Sequence, residues 1–234
     1  MSMPARVLYL HGFASSAQSS KASYFRTRFA EHGITLETPD FNLPDFSTLT
    51  ISRMLQQVAD SIAAQDEGPV VLMGSSLGGF VAVQSAINNP ASVSRLVLLA
   101  PALDFSAERV GDLGDRSLDQ WRATDRLDVF HYAYGRVIPV HYALFEDAQQ
   151  YRPVDARVTV PVQVFQGRRD ASVDPATVER WTKTQPDAEL HLLDDDHQML
   201  ASLDTIWSET ARFLGLTGGV TRAPSRSPDA APQA

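Results

Sequence analysis

One short stretch restricts the fold of this chain more than any other: residues 70–79, VVLMGSSLGG. A β-branched apolar run ends in glycine and serine, and the following LGGFVAVQSAIN carries apolar residues at helical spacing. This pattern predicts a buried strand, a turn too tight for ordinary side chains, and a helix. Gly74-Ser75-Ser76-Leu77-Gly78 fits the G-x-S-x-G elbow, which places a serine at a strained strand-to-helix corner. Small residues are needed two before and two after that serine, where larger ones would collide with the adjoining strand or helix. Ser76 has Gly74 and Gly78 at those offsets, whereas Ser75 would have Met73 and Leu77, so Ser76 is the candidate nucleophile. A phosphate-binding turn is the competing use of such a corner. No Lys-Ser or Lys-Thr pair follows this corner, and its glycine spacing is not G-x-G-x-x-G, so that use is unsupported.

The flanking sequence alternates short apolar runs with amphipathic segments. RVLYL (6–10), ITLETP (34–39), VVLM (70–73), RLVLLAPAL (95–103), VPVQVFQG (160–167) and AELHLL (188–193) read as strands. Segments 21–32, 48–65, 77–88, 174–184 and 202–215 read as helices; in the second, Ile51, Met54, Leu55, Val58 and Ile62 share one face. Near-continuous apolar strands between amphipathic helices predict a mostly parallel sheet of about six strands, covered on both faces. Between 104 and 150 the alternation stops. That stretch is charged at first and then aromatic, with Trp121, Phe130, Tyr132, Tyr134, Tyr142 and Phe145, and it reads as a helical cap insertion in one domain spanning 1–216. Residues 217–234 are rich in Gly, Pro, Ser and Ala, and read as a disordered tail.

A serine hydroxyl needs a base within hydrogen-bond reach and a group to orient that base. In a parallel sheet, functional groups gather at the carboxyl ends of the strands. There the late strands are followed by Gly167-Arg168-Arg169-Asp170 and by Asp194-Asp195-Asp196-His197. His197 is the candidate base, because the other histidines fall in less suitable places. His11 reads as a brace for the first turn, His32 as a helix-end residue, and His191 as a strand residue. His131 and His141, within the insertion, lack the spacing of a metal pair. Asp170 is the candidate acid. Asp174 is close in sequence, although Asp174-Pro175 looks like the N-cap and first residue of a helix, and Asp194, Asp195 and Asp196 read as caps of the last loop. The order Ser76, Asp170, His197 is that of an α/β-hydrolase. Two backbone N–H groups are needed to receive developing negative charge. Leu77 in the elbow and Phe13 in the His-Gly turn after the first strand supply them.

With a net charge of −8 and an isoelectric point near 5.2, the chain is not expected to bind nucleic acid or a general anionic membrane surface. It contains no cysteine, which excludes disulfides, thiolate metal sites and a Cys nucleophile. The apolar run near the N-terminus is too short for a signal sequence, and no run reaches membrane-spanning length, so a soluble, cytoplasmic protein is expected. No metal or cofactor is called for, and nothing in the sequence fixes an oligomeric state.

These residues together resemble the small bacterial esterases of the YqiA type within the α/β-hydrolases. The likeness rests on LYLHGFASS (8–16) followed by Ser20-Lys21-Ala22, on GSSLGG (74–79), and on FLGL (213–216). It implies an α/β-hydrolase fold and hydrolysis of short acyl esters. It also implies Ser76 as nucleophile, His197 as base, Asp170 as acid, and Phe13 and Leu77 as oxyanion donors. The insertion is longer and more aromatic than in the smallest members, and the acid loop carries Arg168 and Arg169; both features bear on substrate preference. Thioester, lactone, amide or perhydrolase chemistry would use the same triad, and a non-catalytic binding role is the reading from a different class.

Overall fold

A computed structural model describes residues 6–64, 68–105 and 118–216. The sequence-predicted tail and the start of the insertion lie outside these residues. Among the described residues the main sheet has six strands, in the order β2-β1-β3-β4-β7-β8. They are β1 (Arg6–Leu10), β2 (Thr35–Glu37), β3 (Val70–Ser75), β4 (Val93–Leu99), β7 (Val162–Gly167) and β8 (Ala188–Leu193). Each neighbouring pair runs parallel.

Strand residues alternate between two apolar layers, as the period of two requires. Val7, Tyr9, Val71, Met73, Val97 and Leu99 face α1 (Ser20–Ala30) and the C-terminal helix (Leu203–Phe213), where Phe29 meets Trp207 edge-on at 5.0 Å. Leu8, Leu10, Leu72, Leu96 and Leu98 face α2 (Ile51–Ala63), α3 (Leu77–Asn88) and the helix Pro175–Thr184. With both faces covered, the central strands are mostly apolar, and this is why they read as near-continuous hydrophobic runs. No described helix is long and apolar enough to cross a membrane.

The insertion differs in part from its helical reading. It contains helices α4 (Leu118–Thr124) and α5 (Ala143–Ala148), and between them an antiparallel hairpin of β5 (Leu127–His131) and β6 (Arg136–Val140). Pro139 and the charged residues at 126, 128 and 136 mask its strand character in the sequence. The proline is tolerated because the hairpin has only two strands. Trp121 anchors the unit: it is buried, donates from Nε1 to the Val140 carbonyl at 2.9 Å, and joins the layer that holds α2 and α3. The two remaining long helices are α6 (Pro175–Thr184) and α7 (Leu203–Phe213).

Strand order positions the site. From β1 the chain moves outward to β2 and then returns to the other side of β1 as β3, so the sheet reverses direction between β1 and β3. The carboxyl ends flanking such a reversal leave a crevice, and the segments after β1 and β3 open into it.

The elbow depends on absent side chains. A Cβ on Gly78 would fall well inside contact distance of the Leu10 carbonyl and 2.8 Å from the His11 carbonyl oxygen. One on Gly74 would lie 2.8 Å from Gly79 Cα, and one on Gly79 would lie 2.7 Å from Pro101 Cβ. Gly78→Ala is therefore expected to force α3 away from β1 and to cost about 3 kcal/mol. Urea denaturation checks this, and an unchanged midpoint would contradict it.

Candidate active site

Ser76 stands between β3 and α3 with φ +53°, a left-handed conformation that is unusual for a residue bearing a side chain. It occupies the N-cap position, yet its hydroxyl makes no capping hydrogen bond. That hydroxyl is instead 3.1 Å from His197 Nε2. His197 Nδ1 lies 2.8 Å from Asp170 Oδ2. The structure therefore brings Ser76, His197 and Asp170 into one hydrogen-bonded line, from loops after β3, β8 and β7.

Asp170 is 7% exposed and held from several sides. Its Oδ1 accepts the Ser172 and Val173 N–H groups at 2.9 and 2.8 Å, and its Oδ2 accepts Gln166 Nε2 at 2.9 Å as well as the His197 contact. Burial alone would raise its pKa. The bonds from His197, Val173 and Gln166, with the charge of His197, outweigh burial and hold the carboxyl below its ordinary range. An ionised Asp170 accepts from Nδ1, which leaves Nε2 free to accept the serine proton. Asp174 points elsewhere and caps α6, accepting the Ala176 and Thr177 N–H groups at 3.1 and 3.2 Å.

The aspartates after β8 shape the loop that carries His197. Asp196 Oδ1 accepts the Gln198 N–H at 2.8 Å, and Asp195 bonds the Ser202 hydroxyl at 2.8 Å. Arg169 pairs with Asp194, and its N–H bonds the Asp195 carbonyl at 3.0 Å, tying the acid loop to the histidine loop. A Cβ on Gly167 would lie 2.7 Å from the Asp195 carbonyl oxygen, so close contact of the two loops requires glycine there.

Among the described residues, neither the Phe13 N–H nor the Leu77 N–H has an acceptor. Leu77 begins α3, where no intrahelical partner exists and the helix dipole favours negative charge. The Phe13 N–H shares a peptide plane with the Gly12 carbonyl, which Ser15 N–H and His11 Nδ1 approach at 3.3 and 2.9 Å. In a trans peptide the two groups point oppositely, so fixing the carbonyl fixes the N–H. His11 Nε2 accepts the Phe41 N–H at 3.0 Å, which leaves Nδ1 as the donor and makes His11 a brace.

Ser76 and His197 open onto a cleft of about 1210 Å³. Its lining combines polar residues, among them Ser16, Gln18, Ser19, Ser20 and Lys21, with aromatic residues of the insertion, Phe105, Phe130, Tyr132 and Tyr134. Insertion aromatics thus divide between two roles: Trp121 and Phe145 are buried in the core, whereas Phe130, Tyr132 and Tyr134 are exposed at the cleft.

The remaining histidines lie apart from this line. His32 packs against Trp207 and His191 stacks on Phe165 within the sheet. His141 pairs with Asp125, whereas His131 is buried against Asn42. Among the described residues, Glu189, His191 and Glu209 bring ligand-type atoms within 4.8 Å of one another, but Arg212 already pairs with both carboxylates.

Sequence reasoning missed Gln166, Asn42 and His131, and gave Lys21 no role. Gln166 carried a usable signal: it is one of two amides in a largely apolar strand, and it lies directly before the acid turn.

A match to the family described as "Uncharacterised protein family (UPF0227)" covers residues 6–211. Lipase LipV of Mycobacterium tuberculosis is 34% identical over 121 residues, 49% of this chain and 44% of the lipase, so the chain spans less than half of that relative. The mitochondrial palmitoyl-protein thioesterase ABHD10 of Bos taurus is 24% identical over 218 residues, 85% of this chain and 68% of the relative. Est1E of Butyrivibrio proteoclasticus, solved with ferulic acid bound, superposes with a TM-score of 0.78 at 20% identity, covering 90% of this chain and 88% of that one. That likeness is one of fold.

Lys21 gives a test of the cleft's electrostatics. Burial on the cleft wall pushes its pKa from 10.5 down to about 8, opposed by the charges of Asp170, Asp196 and Asp195. Below pH 8 the ammonium is charged in both states, and the folded protein bears the full cost of burying it. Between pH 8 and 10.5 the unfolded chain binds the extra proton, so wild-type stability rises with pH. Lys21→Met is thus expected to raise the melting temperature most near pH 7, with the advantage shrinking towards pH 10. A pH-independent difference would contradict this.

Proposed function

Because the chain belongs to the YqiA-like UPF0227 family and has the α/β-hydrolase fold, we propose that it is a serine carboxylesterase. The observation that carries this reading is His197 standing between Ser76 Oγ at 3.1 Å and Asp170 Oδ2 at 2.8 Å. Lipase and thioesterase relatives support acyl transfer as the reaction class.

In this reading Ser76 Oγ attacks the ester carbonyl while its proton passes to His197 Nε2. Asp170 holds the imidazole in the required tautomer and stabilises the imidazolium. The Phe13 and Leu77 N–H groups receive the oxyanion of the tetrahedral intermediate, in a site arranged before the charge appears. Collapse of that intermediate expels the alkoxide, which takes the proton from His197 and leaves an acyl-Ser76 ester. Water, deprotonated by His197, then attacks the acyl group by the same route and restores the serine. No metal or cofactor enters any step.

The aromatic lining residues Phe105, Phe130 and Tyr132 suit an acyl or aryl group, and the serine-rich lining suits a polar alcohol portion. In this reading residues 1–216 form one domain, with the insertion near 104–150 as its cap.

The test is hydrolysis of p-nitrophenyl esters of increasing acyl length. Wild type is expected to turn over short esters such as the butyrate, and the length at which activity falls measures the space for the acyl chain. Ser76→Ala is expected to lower kcat by about 10⁴-fold or more, and Asp170→Asn by about 10³- to 10⁴-fold. Full activity in Ser76→Ala would overturn the reading.

A further inference from the structure

The turn that presents Phe13 is held from outside as well as by His11. Ala14, next to Phe13, has φ +53°, a conformation that persists in a non-glycine residue only where the surroundings impose it. Two other parts of the chain grip this turn by its carbonyls. The Tyr132 N–H, at the end of the insertion's hairpin, donates to the Ala14 carbonyl at 3.1 Å. Asn42 Nδ2, from the loop after β2, donates to the Ser15 carbonyl at 2.8 Å. Asn42 in turn contacts His131, the residue before Tyr132, with Oδ1 3.0 Å from His131 Nε2.

The polarity of this chain of bonds is fixed. A carbonyl only accepts, so the amide must present its NH₂ to Ser15 and its oxygen to His131. His131 Nε2 must then carry the proton and donate it. Both side chains are sequestered: Asn42 is 3% exposed and His131 0%. The imidazole cannot readily swing, because its face stacks on Tyr134 at 4.1 Å and the Phe46 ring meets it at right angles at 4.5 Å. His131 Nδ1 is buried without a partner among the described residues, so the grip on the turn comes from the Asn42 and Nε2 bonds and from the ring packing.

We propose that Asn42 and His131 form a positioning pair for the oxyanion turn, tying the hairpin of the insertion to the peptide that offers the Phe13 N–H. The pair touches no reacting atom. It works by holding the Ala14–Ser15 carbonyls so that the preceding peptide keeps its N–H aimed into the cleft. This assignment rests on the esterase reading above, and it gives the insertion a second role besides walling the cleft.

The test measures kcat and KM for p-nitrophenyl butyrate per active site, with sites counted by titration with a serine-directed phosphonate. The affinity of a trifluoromethyl ketone, which forms an oxyanion on the serine, is measured alongside. A misaimed donor weakens the transition state and not the ground state. Asn42→Ala is therefore expected to lower kcat about tenfold to hundredfold with KM nearly unmoved, and to weaken the ketone by a similar factor. His131→Phe keeps an aromatic ring between Phe46 and Tyr134 but removes the donor, and a smaller loss of the same kind is expected. The two losses combine less than additively. Fewer titratable sites with unchanged kcat per site and unchanged ketone affinity would mean a merely structural role and overturn the proposal. Should Asn42→Ala fail to fold, His131→Phe decides by the same criterion. A wild type that neither turns over esters nor titrates overturns the esterase reading and this one with it, whereas an active wild type with indifferent variants overturns only the positioning pair.

Discussion

The close approach of α3 to β1 and β3 is the constraint on which the site depends. It exists because Gly74, Gly78 and Gly79 present no side chain where backbone atoms of neighbouring elements pass. That contact leaves the chain no gentle route from strand to helix, and Ser76 takes the left-handed conformation at the corner. Three consequences follow from one piece of packing. The Ser76 hydroxyl makes no bond to the helix at whose N-cap it stands, the Leu77 N–H is left without an acceptor among the described residues, and Ser76 and Leu77 both line the cleft. Backbone strain of this kind costs about 1–3 kcal/mol and is borne by the surrounding core.

Around that corner the other groups arrive by strand order. β1 delivers the Phe13 turn on one side, whereas β7 and β8, on the other, deliver Asp170 and His197. The acid and base loops are then locked to each other through Arg169, Asp194 and Asp195, and to Gly167 by close backbone contact. The Asp170 carboxylate is nearly buried but receives donors on both oxygens, so its charge is met by fixed dipoles instead of water. The environment around Ser76 is thus built before a substrate enters.

Much of this was legible in the sequence because the physics is local. Strand and helix periods differ, and both faces of the sheet are covered, so the six strands stood out as apolar runs. The elbow announced itself through glycine spacing. Asp170 and His197 could be singled out because each follows a late strand by a few residues. The hairpin at 127–140 was not legible as strand. Its two five-residue runs carry charges and Pro139, and the alternation visible in LDVFH was overshadowed by the aromatic composition around it. The Tyr132–Gly135 turn, with Gly135 at φ +63°, was the available signal. Asn42 and His131 were less accessible still. They are 89 residues apart, and a contact set by the meeting of three loops leaves no mark in the periodicity of any of them.

The central claim is that Ser76 is a nucleophile activated by its neighbours. Labelling of the intact protein with a fluorophosphonate, followed by peptide mass spectrometry to locate the adduct, tests it most directly. The account predicts a single adduct on Ser76 that disappears in Ser76→Ala. An adduct on Ser75 or elsewhere, or a wild type inert to the reagent, would contradict it.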